Sequence, residues 1–118
     1  MGHFSVPARL TGPTGLSEEA ELFVDTGATL VVLPRSLADR LELVVKRRQL
    51  VSLAGGVEAM WPIAEMRVAI DDQEIPTLCF IAPKGEALLG SVALESLFLA
   101  VDPVGKRLVP TRGFVLVS

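Results

Sequence analysis

The chain has 118 residues, of which 50% are apolar and 21% are charged, and its formal net charge is −3. This length and composition predict a single domain over residues 1–118 rather than a disordered segment. The acidic balance argues against nucleic-acid binding, and the triplet Lys46-Arg47-Arg48 is interpreted as a solvated strand edge.

Cysteine and histidine usage restricts the chemistry further. Cys79 is the only cysteine, which excludes an intramolecular disulfide, and its apolar surroundings at residues 78–81 favour a buried structural thiol. His3 is the only histidine, so neither a histidine-based metal site nor a cofactor is expected. The sequence contains no secretory signal and no run of about 18 apolar residues, so no membrane partner is expected. The expected location is cytoplasmic, unless the sequence is a soluble domain of a larger protein.

The first part of the chain predicts strands separated by turns. Alternation over residues 4–9 predicts a first strand, and the turn formers at residues 11–15 begin a polar loop that residues 17–19 are expected to extend. Residues 22–24 predict a buried strand that ends at an acid, and residues 30–33 predict a short strand that Pro34 stops. Residues 36–41 then predict a short helix, since Leu37 and Leu41 share one face.

The middle of the chain predicts two strand pairs. Residues 49–63 predict a hairpin whose tip is Gly55-Gly56, a pair that a two-residue primed turn accepts. Trp61 falls on the returning arm, where it lines a cleft or serves as a core or interface aromatic. Residues 64–70 and 74–81 predict a further strand pair, and Pro76 marks the second strand as an edge or bulged strand.

The last part of the chain ends in an unusually apolar run. Residues 88–90 form an apolar segment that leads into a predicted helix at residues 91–97, and two short strands follow at 99–101 and 107–109. Residues 114–117 predict a final strand that would be a sticky edge on a monomer. Either a partner subunit or the sheet of the same chain is expected to cover it.

Asp25-Thr26-Gly27 has the clearest chemical content. An acid at the end of a buried strand, followed by residues that permit a sharp turn, is rigidly held and partly desolvated. Carboxylates in this setting take part in acid–base chemistry. The same tripeptide is also a common surface turn between two strands.

The wider pattern resembles the retroviral-type (retropepsin-like) single-domain aspartic proteases and their bacterial and cellular relatives. Asp25-Thr26-Gly27-Ala28 resembles their active-site turn, and Ala87-Leu88-Leu89-Gly90 before a helix resembles their second marker. Residues 53–57 stand where these proteins carry a glycine-tipped flap. The resemblance runs from about Phe4 to the C-terminus. It implies an all-β fold with a small closed barrel-like sheet, one or two short helices and one active-site half per chain.

The resemblance also implies a function and a partner. Peptide hydrolysis by this route needs two carboxylates, and no other Asp or Glu in the sequence precedes a Thr-Gly or Ser-Gly pair. A homodimeric endopeptidase acting on a peptide or protein is therefore expected, joined through the active-site turn and the terminal strands. The implied catalytic residues are Asp25, Thr26 and Gly27, the expected substrate-binding residues are Ala28, Ala54, Gly55, Gly56, Trp61 and Leu88, and further cleft candidates are Val31, Val32 and Ile81.

The expected subunit contact departs from the retroviral pattern. Retroviral proteins carry acidic residues after the active-site turn and an arginine after the second marker, and these residues pair. Here the corresponding positions are Thr29-Leu30 and Ser91-Val92, so neither partner of that ion pair is present. The contact is expected to depend on apolar strand pairing.

Two other functions are consistent with parts of the sequence. A protease fold without turnover could serve as a dimerisation or peptide-binding module, although such a module would not need the intact Asp25 turn. Residues 25–29 also fit the D-x-G-x-T phosphate loop of actin-like kinases. That fold needs two large α/β halves, which 118 residues cannot build.

Overall fold

Strands account for most of residues 3–117, which are the residues that the computed structural model describes. Two six-residue helices are present, each within one residue of its predicted bounds. The elements in chain order are β1 (Ser5–Thr11), β2 (Ser17–Val24), β3 (Val31–Pro34), α1 (Arg35–Arg40), β4 (Val45–Ser52), a 3₁₀ turn (Ala54–Gly56), β5 (Glu58–Ile70), β6 (Gln73–Ala82), β7 (Leu88–Leu89), α2 (Ser91–Ser96), β8 (Leu99–Asp102) and β9 (Arg107–Pro110).

The main sheet closes into a ring. Its seven strands follow the order β1-β2-β7-β3-β6-β5-β4, and β1 also pairs with β5, where Leu10 lies opposite Val68. Six strands therefore form the ring, and β4 extends it outward from β5. Strands β8 and β9 form a separate two-stranded sheet. The all-β fold with two short helices is confirmed, and the ring is compatible with the predicted barrel-like closure.

The core lies inside the ring and under the two helices. Leu10, Leu22 and Leu89 from the strands are fully buried, as are Leu41 and Leu97 at the ends of the helices. Each such side chain contributes about 1.5–3 kcal/mol when it is removed from water. Because β2 and β7 run beside each other in this core, the residues that follow them are fixed in position.

The polar loop predicted at residues 17–19 is wrong, because these residues form the start of β2. They pair with the end of β1, where Glu19 lies opposite Arg9. Arg9 Nε donates to Glu19 Oε2 at 2.7 Å, and Arg40 of α1 donates to Glu18 Oε2 at 2.8 Å. The charged side chains are satisfied at the surface of the strand, so a polar sequence does not prevent pairing here.

The two-residue primed turn predicted for the hairpin tip is also wrong. The Gly56 N–H donates to the Leu53 carbonyl at 3.1 Å, which makes Ala54 and Gly55 the central residues of the turn. Gly55 has φ 86° and ψ 3°, the values of the third residue of a type II turn. Leu53 N–H donates to the Val57 carbonyl at 2.7 Å and closes the tip.

The prediction of an edge or bulged strand at Pro76 is wrong, because β6 lies between β3 and β5 and pairs regularly with β5. Strand β6 pairs with β5 along its length but with β3 only from Cys79 to Ala82. Pro76, opposite Arg67, therefore has a neighbour on one side only, where its missing N–H costs no ladder hydrogen bond.

Residues 114–117 belong to neither sheet, and their side chains are between 71% and 90% exposed. The expectation that they pair within the sheet of the same chain is wrong. The ring closes through β1 and β5, so it needs no further strand. The alternative, pairing with a partner subunit, stays a prediction.

Neither of the described helices is long and apolar enough to cross a membrane.

Burial makes the Cys79 thiol inert. Desolvation in the core raises the pKa of Cys79 to about 12, against a backbone hydrogen bond with Ala64 that lowers it. The ordinary pKa of a cysteine is about 8.5. The buried structural thiol predicted from the sequence is thus found.

This difference in pKa makes stability depend on alkaline pH. Between pH 8.5 and pH 12 the unfolded thiol loses its proton and the folded thiol keeps it, so stability falls as pH rises. We expect a loss of about 1 kcal/mol between pH 8.5 and pH 9.5 from this group. Urea unfolding of the wild type and of Cys79→Ala at both pH values measures it. An equal pH dependence in the two proteins would contradict the assignment.

Candidate active site

A row of side chains crosses one face of five strands. Leu88 of β7 lies opposite Val32 of β3, Val32 opposite Phe80 of β6, Phe80 opposite Ile63 of β5, and Ile63 opposite Arg47 of β4. Paired residues on neighbouring strands project to the same face of a sheet. These five side chains form one wall of a cleft of about 950 Å³.

The cleft extends from the turn after β2 to the β4–β5 hairpin. Its lining is mostly apolar, and Asp25 and Arg47 are the only charged residues in it. The lining residues are Asp25, Gly27, Ala28, Thr29, Leu30, Val32, Arg47, Gln49, Leu50, Val51, Ser52, Leu53, Ala54, Trp61, Ile63, Leu78, Phe80 and Leu88.

Backbone hydrogen bonds hold Asp25 at the end of β2. Its N–H donates to the Leu89 carbonyl at 3.0 Å, and its carbonyl accepts from the Ala28 N–H at 3.1 Å. The Gly27 N–H donates to Asp25 Oδ1 at 2.9 Å. The half-buried carboxylate is therefore fixed in orientation by its own turn while it faces the cleft.

Gly90 packs directly against the loop that follows Asp25. A Cβ at position 90 would contact the carbonyl oxygen of Leu30 and would lie 2.7 Å from that of Ala28. The Ser91 N–H donates to the Ala28 carbonyl at 2.8 Å, and the Val92 N–H donates to the Thr29 carbonyl at 3.0 Å. The two segments that carry the resemblance thus interlock through their backbones.

The structure brings some of the predicted site residues together and leaves others apart. Asp25, Gly27, Ala28, Ala54, Trp61 and Leu88 all line the cleft. Thr26 is exposed on the turn outside the lining. Gly55 and Gly56 are exposed at the hairpin tip, where an added Cβ would meet no atom within 4 Å.

Val31 and Ile81 were further cleft candidates, and they lie in the core instead. Val31 is opposite Cys79, and both residues are fully buried. Strand alternation then gives the cleft face to Val32 and Phe80, one residue along each strand.

Sequence reasoning missed Phe80, Ile63 and Arg47. The alternation of β6 contained a signal for Phe80, since it lies between the core residues Cys79 and Ile81. Trp61 packs edge-on against the Phe80 ring, with centroids 6.3 Å apart. Pairing across β5 and β4 was needed to place Ile63 and Arg47 on this face.

Nothing in the described part of the chain points to a metal centre. Within residues 3–117, no group of three histidine, cysteine or acidic side chains could hold a metal ion.

Comparisons with known proteins agree with this geometry. A family model described as aspartyl protease matches residues 6–93, which include both the Asp25 turn and Gly90. The solved structure of EIAV protease complexed with the inhibitor HBY-793 is 18% identical, has a TM-score of 0.65, and aligns over 91% of this chain and 92% of that chain. This likeness shows that the fold is that of the retroviral-type aspartic proteases. No curated protein sequence matches this one.

The interlock at Gly90 can be tested by adding one methyl group. Gly90→Ala should lower the free energy of unfolding by about 1–3 kcal/mol, because the Cβ meets backbone oxygens that cannot turn away. Gly113→Ala is the matched control, since its Cβ would approach only the ring of Phe98, a half-exposed side chain. Chemical denaturation of both variants measures the difference, and equal stability would refute the interlock.

Proposed function

The chain belongs to the aspartyl protease family, and we propose that it is a homodimeric aspartic endopeptidase in which the Asp25 carboxylates of two copies activate one water molecule. The observation that carries the proposal is the position of Asp25. Its carboxylate is oriented by the Gly27 N–H and faces an apolar cleft large enough for a segment of peptide.

The need for a second copy follows from a count of carboxylates. Asp25 is the only acidic residue that lines the cleft. In an aspartic protease two carboxylates share one proton, because like charges that lie so close cannot both ionise. A second chain that meets the first at the Asp25 turn would supply the other carboxylate. Thr26 is exposed on the outside of this turn, and in the proposed dimer it would contact the opposing turn.

The proposed chemistry uses the two carboxylates as base and acid. The ionised carboxylate accepts a proton from the bound water, whose oxygen attacks the peptide carbonyl carbon. The protonated carboxylate donates a hydrogen bond to the carbonyl oxygen as negative charge develops there. The carboxylate that took the proton from water then passes it to the leaving nitrogen, and the carbon–nitrogen bond breaks.

The apolar C-terminal segment supports the subunit contact. Residues 114–117 are exposed in the single chain, and burying four such side chains contributes roughly 1.5–3 kcal/mol each before the costs of ordering. Exposed ion pairs would contribute only about 0–1 kcal/mol each. Pairing of these segments between two copies is therefore the proposed main contribution to the dimer.

The β4–β5 hairpin is the proposed flap. Ala54 at its tip lines the same cleft as Asp25, and Gly55 and Gly56 are exposed beside it, with open space where a side chain would stand. Trp61 on the returning arm of the hairpin and Phe80 on β6 are the proposed aromatic contacts for apolar side chains of the substrate.

Replacement of Asp25 tests the chemistry. Asp25→Asn should lower kcat by at least about a hundredfold and leave the fold intact, because the amide cannot act as base or acid. The control is Asp39→Asn on α1. Its exposed carboxylate pairs with Arg35 at 3.3 Å and does not line the cleft. Cleavage of an unfolded protein at weakly acidic pH, with and without a statine-type transition-state mimic, is the measurement.

Three outcomes separate the possible functions. Loss of cleavage in Asp25→Asn, with cleavage kept in Asp39→Asn, supports the proposal. Wild-type cleavage that survives in Asp25→Asn would refute the mechanism. Binding of the mimic without any cleavage by the wild type would favour a peptide-binding module that lacks turnover.

Deletion of residues 114–118 tests the dimer. The truncated chain should sediment as an inactive monomer, yet keep its stability at low concentration, because residues 114–117 belong to neither sheet. Val104→Gln is the control, since Val104 is 92% exposed in the β8–β9 turn and has no proposed role in the contact. A truncated chain that remains an active dimer would contradict the proposed contact.

A further inference from the structure

The cleft is charged at both of its ends. Asp25 lies at the end near β7, and Arg47 lies on β4 at the other end of the row through Val32, Phe80 and Ile63. The side chains between them are apolar. A ligand that spans the row therefore meets one cation, and this cation lies away from the reacting carboxylate.

A β-bulge turns Arg47 toward the cleft. Val45 lies opposite Ala64 and Arg47 lies opposite Ile63, so Lys46 is the extra residue on β4. With regular pairing Lys46 would face Ile63, and Arg47 would project to the other side of the sheet. Bulges next to active sites commonly redirect a side chain in this way.

The guanidinium of Arg47 is oriented but keeps most of its donors. Its Nη1 donates to Gln49 Oε1 at 2.8 Å, two residues along the same face of β4. Lys46, by contrast, pairs with Glu65 at 3.5 Å. Within residues 3–117, no carboxylate lies within ion-pair distance of Arg47. An arginine has five N–H donors, and their planar arrangement matches a carboxylate.

We propose that Arg47 makes the cleft selective for peptides that present a carboxylate several residues from the bond to be cleaved. The inference rests on the proposed function in taking a peptide as the ligand. The carboxylate comes from a Glu or Asp side chain or from the peptide C-terminus, and the two sources share the same recognition chemistry.

Strand spacing gives the position of this carboxylate. Asp25 follows β2, and five steps of about 4.8 Å separate β2 from β4 on a flat sheet, which is about 24 Å; closure of the sheet into a ring and the length of the arginine side chain shorten that span. An extended peptide advances about 3.3 Å per residue. The carboxylate should therefore lie about three to five residues from the scissile bond.

Binding to an inactive chain tests the inference separately from turnover. The full chain carrying Asp25→Asn is titrated with ten-residue apolar peptides that have blocked ends, lack Trp and carry one Glu at a varied position, and with their Gln counterparts. Trp61, the only tryptophan, lines the cleft and reports binding by fluorescence. A third set has no Glu but a free C-terminal carboxylate, which distinguishes the two sources.

A peptide whose carboxylate lies three to five residues from the scissile bond should bind about three- to tenfold more tightly than its uncharged counterpart. The ratio of these two affinities is the quantity compared below. Added salt should reduce the ratio of the two affinities, since Arg47 is exposed. Arg47→Gln should bring the ratio close to one.

Arg48→Gln should leave the ratio unchanged. This control removes the same charge from the neighbouring residue, which lies opposite Pro62 and outside the cleft lining. Equal ratios in the Arg47 and Arg48 variants, or no binding of any carboxylate peptide, would overturn the inference. Tight binding of carboxylate peptides that the wild type does not cleave would support it and refute the proposed endopeptidase.

Discussion

The backbone contact between Gly90 and the loop after Asp25 is the constraint on which the site depends. Two segments far apart in the sequence approach until only a hydrogen atom fits between Cα of residue 90 and the carbonyls of Ala28 and Leu30. Hydrogen bonds from Ser91 and Val92 then join the start of α2 to the same loop. The carboxylate of Asp25 is positioned by backbone atoms, which have far less freedom than side chains.

The Asp25 turn explains how an apolar cleft can hold a carboxylate at one end. The Asp25 side chain needs no charged neighbour within the chain, because the Gly27 N–H satisfies one of its oxygens. The remaining acceptor sites face the cleft, where water and, in the proposed dimer, the carboxylate of the second copy can reach them. In the proposed dimer, the row of apolar side chains would exclude bulk water from a bound peptide and strengthen the polar interactions made there.

Sequence reasoning located the parts of the site that depend on local chemistry. Asp25 and Gly90 stand out because each needs a particular residue type: an acid at the end of a buried strand, and a residue without a side chain before a helix. Arg47 could not be placed in this way. Its direction depends on the pairing of β4 with β5 and on one extra residue in that pairing, and neither is encoded in the alternation of residues 45–52. The charged start of β2 was missed for a related reason, since Glu18 and Glu19 find their partners on α1 and β1.

The bulge in β4 has a consequence for how the cleft could change as sequences diverge. Pairing of an edge strand is the part of a sheet that shifts most easily when a residue is inserted or lost, and each shift of one residue reverses the faces of the strand. Here residues 46, 47 and 48 are all cationic, so the position opposite Ile63 stays positive in any of the three neighbouring registers. The sign of the charge at this position is thus kept when the pairing shifts by one residue in either direction. Only the shape of the cation would change, between the planar fork of an arginine and the single ammonium of a lysine.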